Sequence, residues 1–175
     1  MLISMCSIHG SECVQTPPES YRGRHRSKLD AADADRRDGY KEPVEDVDSW
    51  GESIEKLLES RSGQLAFQEF LKSEYSEENI LFWLACEEYK KITSVPEMIS
   101  MANQIYTEFV QTDSPRQVNI DSGTRSNITN NISEPNLNSF DAAQKHIFSL
   151  MSRDCYPRFL KSDIYRAILQ KHDNS

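Results

Sequence analysis

Residues 80–86 read Ile-Leu-Phe-Trp-Leu-Ala-Cys, an unbroken apolar run that follows directly on Ser76, Glu77, Glu78 and Asn79. Acidic side chains are stabilised at the positive end of a helix dipole, and Ser76 stands where a hydroxyl could cap the first turn, so the spacing predicts a helix starting here. A helix that is apolar almost all round belongs in an interior. It is expected to be the most deeply buried helix, and whatever else the chain forms must cover it.

The flanking segments supply covering helices. Ser49-Trp50-Gly51-Glu52 has the pattern of a capping box, which predicts a helix start at Ser49. Ile54, Leu57 and Leu58 follow at helical spacing, and a second helix carries Leu65, Phe67, Phe70 and Leu71 on a core-facing side up to about Ser73. Pro96 marks the start of a further helix with an amphipathic stripe of Met98, Met101, Ala102, Ile105 and Phe109. Pro115 ends that region, and Ser122 is the expected cap of a short helix through Ile128 and Ile132. After Pro135, Ser139 is expected to cap a helix with Phe140, Ala143, Ile147, Phe148, Leu150 and Met151 inside, and two short helices around Tyr156, Phe159 and Leu160 and around Ile164, Tyr165, Ile168 and Leu169 close the chain. Nowhere does the alternation of a strand or an internal repeat emerge, so the fold class is all-α.

At 175 residues the chain has room for one core and a tail. Residues 1–48 hold few large apolar side chains, a Pro17-Pro18 pair, a basic run over 22–28 and an Asp-rich stretch, and such a segment cannot bury enough apolar surface to offset its ordering entropy. A disordered tail over 1–48, a domain over 49–170 and a short C-terminal tail over 171–175 are expected. The net charge of −8 excludes a phosphate-driven nucleic-acid binder. Cys6, Cys13, Cys86 and Cys155 are too unevenly spaced for a disulfide framework, no signal-peptide pattern opens the chain and no apolar window is long enough to span a bilayer, all of which points to a cytoplasmic protein with reduced thiols. On that reading the sequons at Asn127 and Asn131 arise by chance.

Chemistry is sparse. Glycine is scarce and neither phosphate-cradling glycine motif occurs, so no nucleotide cofactor is expected. Cys6, His9 and Cys13 with His25 fit no standard zinc spacing, and no metal is expected. Cys6 or Cys13, if acylated, could act with the basic run as a two-signal membrane anchor, against the alternative of a tail with unmodified thiols. Within that run Arg24-His25-Arg26-Ser27 has the pattern of a basophilic phosphorylation site at Ser27, against an ordinary arginine-rich linker. His146 and His172 are isolated on helical segments and read as solvated or packed residues. Lys90 and Lys91, after Glu87 and Glu88, read first as an exposed helix face.

Four runs together resemble the regulator of G-protein signalling family: residues 70–87 (Phe-Leu-Lys-Ser-Glu-Tyr-Ser-Glu-Glu-Asn-Ile-Leu-Phe-Trp-Leu-Ala-Cys-Glu), 118–122 (Val-Asn-Ile-Asp-Ser), 140–144 (Phe-Asp-Ala-Ala-Gln) and 156–160 (Tyr-Pro-Arg-Phe-Leu). The resemblance spans residues 50–169. It implies a bundle of about nine helices, four of them forming a bundle joined to a cluster built from both ends of the domain. It also implies a non-enzymatic, monomeric activator of GTP hydrolysis on the α subunit (Gα) of heterotrimeric G proteins, of the Gi/o or Gq class, which terminates receptor signalling at the cytosolic face of the plasma membrane.

Such an activator needs no acid, base or nucleophile. A Gα subunit carries its own stabilising arginine yet turns over at about 0.01 per second, so a partner accelerates it by holding switch loops and the water-orienting glutamine in the reactive geometry. The gain exists only if the transition-state arrangement is bound more tightly than the ground state. By resemblance Asn79 carries the main contact, its carboxamide offering donor and acceptor to the Gα glutamine and switch backbone, with Glu78 beside it and Tyr75 and Ser76 at the rim. Read alone, Asn79 and Glu78 are first-turn helix residues. A second contact falls on Asn119 with Asp121 and Ser122, where the plain alternative is a loop asparagine in a local turn. A third falls on Leu150, Asp154, Cys155 and Arg158, the last fixing the aspartate's rotamer; alone, Asp154 and Arg158 would be a helix-end salt bridge. Cys155 stands where many members have serine and Gln117 where many have an acid, which bears on the choice of Gα. Lys90 and Lys91 match a basic pair that in some relatives binds anionic phospholipid or calmodulin.

Overall fold

The computed structural model describes residues 47–174, and all of the regular structure there is helical. A 3-10 turn over Val47–Gly51 precedes α1 (Ile54–Glu59), α2 (Arg61–Ser73), α3 (Glu78–Tyr89), α4 (Val95–Ile105), α5 (Ser122–Asn131), α6 (Asp141–Leu150), α7 (Tyr156–Phe159) and α8 (Asp163–Asp173). A π turn over Tyr106–Val110 extends α4, and another over Met151–Cys155 joins α6 to α7 without a break. With α6, its π turn and α7 taken as one continuous run, the described residues form eight helical segments.

They pack as two groups. Helix α3 packs against α4 and α6, while α5 touches both α6 and the π turn that closes α4, so these four make a ring. The 3-10 turn, α1, α2 and α8 make the second group from the two ends of the domain, linked to the first where α2 meets α3. The all-α class is the one expected from the sequence, and the division into two groups is the one the resemblance implies.

The central helix is α3: Ile80, Phe82, Cys86 and Tyr89 are buried, and Leu81, Trp83, Leu84 and Ala85 are partly covered by surrounding elements. Phe82 meets Phe109 at 5.7 Å between ring centroids, and Tyr89 meets Phe140 edge-on at 5.2 Å. The second group is centred on Phe159, which packs edge-on to Phe67 at 5.4 Å and to Phe70 at 5.7 Å and lies 5.2 Å from Tyr165. Full burial of a side chain of this size contributes about 1.5–3 kcal/mol. The hydroxyl of Tyr156 donates to the Trp50 carbonyl (2.8 Å), tying α7 to the first turn across the length of the domain.

Helix starts depart from the expected serines. Ser53, not Ser49, caps α1 by accepting from the Lys56 N–H, and Glu52 pairs with the Lys56 ammonium instead of folding back on a capping box. The segment before it is 3-10, in which residues three apart share a side, so Val47 and Trp50 both reach the core; burying that tryptophan outweighs an earlier α-helix start. Ser60 caps α2 through the Gly63 N–H (2.8 Å). Asp121 rather than Ser122 caps α5, and Ser139 accepts from Asn136 N–H to close the turn before α6 rather than capping the helix. Leu65, expected to face the core, is 52% exposed: two residues from both Gly63 and Phe67, it lies about 200° round α2 from its buried face.

Candidate functional site

The turn between α2 and α3 is built by a complete Schellman motif. Ser76 N–H donates to the Leu71 carbonyl (2.9 Å) and Tyr75 N–H to the Lys72 carbonyl (3.2 Å), which satisfies the last carbonyls of α2. The motif requires a left-handed residue between Glu74 and Ser76, and that residue is Tyr75, at φ 56°. Glycine is the usual occupant, because a side chain in this conformation costs about 1–2 kcal/mol. The tyrosine accepts the strain and stands 95% exposed beyond the turn. Ser76, expected to cap α3, serves α2 instead, its hydroxyl also facing the Leu71 carbonyl at 3.4 Å.

One turn further, Asn79 lies in the first turn of α3 with its N–H donating to the Ser76 carbonyl. It is 5% exposed, one of two buried polar residues in the described structure, yet its carboxamide makes no hydrogen bond within it. Among the described residues only Ser114 Oγ is a fully sealed side-chain polar atom without a partner, so the Asn79 amide keeps an opening to solvent. Buried amides are ordinarily paired. Gln68 Nε2 donates to Glu77 (2.8 Å), bracing the start of α3 against α2 and leaving Glu78 half-buried beside Asn79.

The loop before α5 comes alongside: Glu77 and Glu78 line one groove with Pro115, Arg116 and Gln117. The loop is anchored by Val118 and Ile120, both buried, and by Arg125, whose guanidinium donates to the carbonyls of Val110 (3.0 Å) and Val118 (3.2 Å). With alternate residues inward, Asn119 and Asp121 face out. Asp121 is committed to structure: Thr124 donates to it from the hydroxyl (2.6 Å) and the backbone (2.9 Å), and these bonds hold its carboxyl below the usual range. Ser122 is exposed at the head of α5.

The third patch sits on the π turn after α6. Met151 and Cys155 point inward and Asp154 outward, while Leu150 is half-buried in a groove that also holds His146, Arg153 and Asp154. Arg158 spans Asp154 Oδ1 (Nη1, 2.8 Å) and Glu74 Oε2 (Nη2, 2.6 Å), and those two hydrogen-bonded carboxylates push its pKa above the ordinary value. Because Glu74 immediately precedes Tyr75, this arginine fastens the third patch to the first. Cys155, expected on the contact rim, is 2% exposed and belongs to the core, where burial pushes its thiol up.

Thus Tyr75, Ser76, Glu78, Asn79, Asn119, Asp121, Ser122, Leu150, Asp154 and Arg158 lie on three segments that adjoin through the α3 groove and the Arg158 bridge. Sequence reasoning missed Glu74 and Arg125, since neither pattern nor spacing announces a partner so far along the chain. Lys90 and Lys91 are elsewhere, at the other end of α3. Lys90 is held by Gln144 (2.5 Å), Asp141 (3.3 Å) and Glu87 (3.8 Å), and Lys91 by Glu88 (2.7 Å). Cys6, Cys13 and Ser27 lie outside the described residues. No helix of the described residues is long and apolar enough to cross a membrane.

Residues 53–168 match a family model described as the Regulator of G protein signaling domain. The chain is 48% identical over 130 residues to Regulator of G-protein signaling 21 of Homo sapiens, covering 74% of this chain and 86% of that protein. It is 51% identical over 126 residues to Regulator of G-protein signaling 18 of Homo sapiens (72% of this chain, 54% of that protein) and 48% identical over 130 to Regulator of G-protein signaling 5 of Rattus norvegicus (74% and 72%). Among solved structures, the rgRGS domain of PDZRhoGEF, crystallised in a complex with Galpha-13 bound to GTP-gamma-S, superposes with a TM-score of 0.57 at 19% identity, covering 70% of this chain and 62% of that one, a likeness of fold.

Proposed function

Since the chain belongs to the regulator of G-protein signalling family, we propose that its helical domain is a GTPase-activating protein that grips the switch regions of an activated Gα subunit and so shortens receptor signalling. The observation that carries this reading is Asn79: a residue 5% exposed, whose carboxamide keeps an opening to solvent and has no hydrogen-bond partner among the described residues. An amide fixed in this way loses little freedom on docking, and its donor and acceptor can hold the Gα glutamine side chain and a switch carbonyl together. Glu78 and Asn119 extend the same surface, and Asp154, oriented by Arg158, meets the switch backbone N–H groups or hydroxyls from the other side. The domain contributes no proton transfer and no nucleophile; it lowers the barrier by binding the transition-state arrangement of Gα more tightly than either ground state.

The partner class is Gi/o or Gq, met at the cytosolic face of the plasma membrane. The test compares the affinity of the full chain for Gα bearing GDP with that for Gα bearing GDP and aluminium fluoride. A preference of about 100-fold or more for the transition-state mimic supports the reading, whereas equal affinity identifies a scaffold that docks without accelerating hydrolysis.

A further inference from the structure

At the end of α3 remote from Asn79, the surface carries a groove of about 390 Å³ between α1, α3 and α6. Its floor is apolar. Trp83 and Phe148 lie with ring centroids 6.4 Å apart and planes tilted by 33°, both half-buried, with Leu58 and Leu84 continuing the surface. Carboxylates line its rim: Glu55 and Glu59 on α1, Glu87 and Glu88 on α3, opposed by Lys91 as the one cationic lining residue.

The charges are unevenly satisfied. Lys91 is spent on Glu88 at 2.7 Å, and Glu87 accepts from Gln144 (2.6 Å) with Lys90 at 3.8 Å. Glu55 and Glu59, four residues apart on one face of α1, have no cation within ion-pair distance among the described residues. Like charges at this spacing disfavour a helix. A half-covered tryptophan and phenylalanine framed by carboxylates recognise a cation with an apolar body: the ring faces attract the charge and the acids pair with it.

We propose that this groove docks a basic amphipathic peptide segment of a partner protein, its apolar side chain resting on Trp83 and Phe148 and its flanking cations meeting Glu55 and Glu59. The volume suits one or two side chains of an anchor within such a segment. The sign is opposite to that expected of a lipid- or calmodulin-binding patch around Lys90 and Lys91. The inference is independent of Gα binding, since it concerns the other end of α3.

The experiment titrates the full chain with a synthetic amphipathic peptide of about twelve residues, leucine and phenylalanine on one face and lysine and arginine on the other. Trp83 fluorescence and backbone amide NMR shifts are followed; Trp50, 2% exposed, serves as the silent reference. Binding that perturbs Trp83 and Phe148, weakens about tenfold or more in the Glu55→Lys/Glu59→Lys double variant, and weakens less in Glu55→Gln/Glu59→Gln is the expected result. All four substitutions fall on exposed positions, and a melting curve verifies the fold. The proposal is overturned if the peptide does not bind, if charge reversal leaves its affinity unchanged, if a scrambled peptide of equal charge binds as well, or if phosphatidylserine vesicles perturb Trp83 in its place.

Discussion

Arg158 Nη2 lies 2.6 Å from Glu74 Oε2, joining the C-cap of α2 to α7, 84 positions along the chain. Through the same guanidinium Asp154 is held at 2.8 Å, so one cation sets the relation between the strained tyrosine turn and the π turn. Half-exposed ion pairs of this kind contribute at most about 1 kcal/mol to stability. Their larger effect here is expected on the geometry of the site.

A double-mutant cycle with Glu74→Ala and Arg158→Ala therefore gives a coupling of about 0.5–1 kcal/mol or less in urea unfolding. The same cycle, followed by affinity for Gα carrying the transition-state mimic, shows a larger coupling. Equal couplings in the two measurements would mean that the pair serves stability alone.

Tyr75→Gly relieves the left-handed conformation without sacrificing packing, because the side chain is 95% exposed. Offset by the greater freedom of glycine in the unfolded chain, the gain is up to about 1 kcal/mol. Thermal unfolding measures it, and potency in GTPase activation falls as the aromatic contact disappears.

Asp121 makes the start of α5 sensitive to acid. Its carboxyl titrates below the ordinary value of 3.8 in the folded chain. A depressed folded pKa supplies stability that is fully present above the unfolded value and lost as pH falls through the folded one. The protection of the Gly123 and Thr124 amides against exchange should fall below about pH 4, before global unfolding, and Asp121→Asn should flatten that dependence.

Gly63→Ala tests the junction of α1 and α2. A methyl group on Gly63 would overlap the Leu57 carbonyl oxygen and crowd Ser60 Oγ, both fixed by the capping turn. Destabilisation of about 1–3 kcal/mol in chemical denaturation is expected.

Local periodicity made the helices and most of the core legible: the stripe ending in Ile105 and Phe109, the run around Phe82 and the cluster of Phe67, Phe70 and Phe159 all fold as their spacing indicates. Helix starts were less legible, since several polar residues stand near each boundary and the choice among them rests on tertiary burial. Trp50 turning inward moved the first cap to Ser53, and Ser76 closed α2 instead of opening α3. Within the site, Asn79 and Asp154 could be named from the family resemblance, but its shape could not. Glu74 reaches Arg158 across the fold and Arg125 pins a loop through main-chain carbonyls, neither of which leaves a local mark.

A surface centred on Asn79 is expected to accelerate GTP hydrolysis by another protein. Single-turnover hydrolysis by purified Gα of the Gi/o and Gq classes, with and without the full chain, tests it most directly. The wild-type chain should give a faster single exponential and Asn79→Ala a loss of about 100-fold in potency, near the roughly 2–3 kcal/mol that a transition-state hydrogen-bond pair supplies. An unchanged rate on every Gα, or full acceleration by Asn79→Ala, would contradict it.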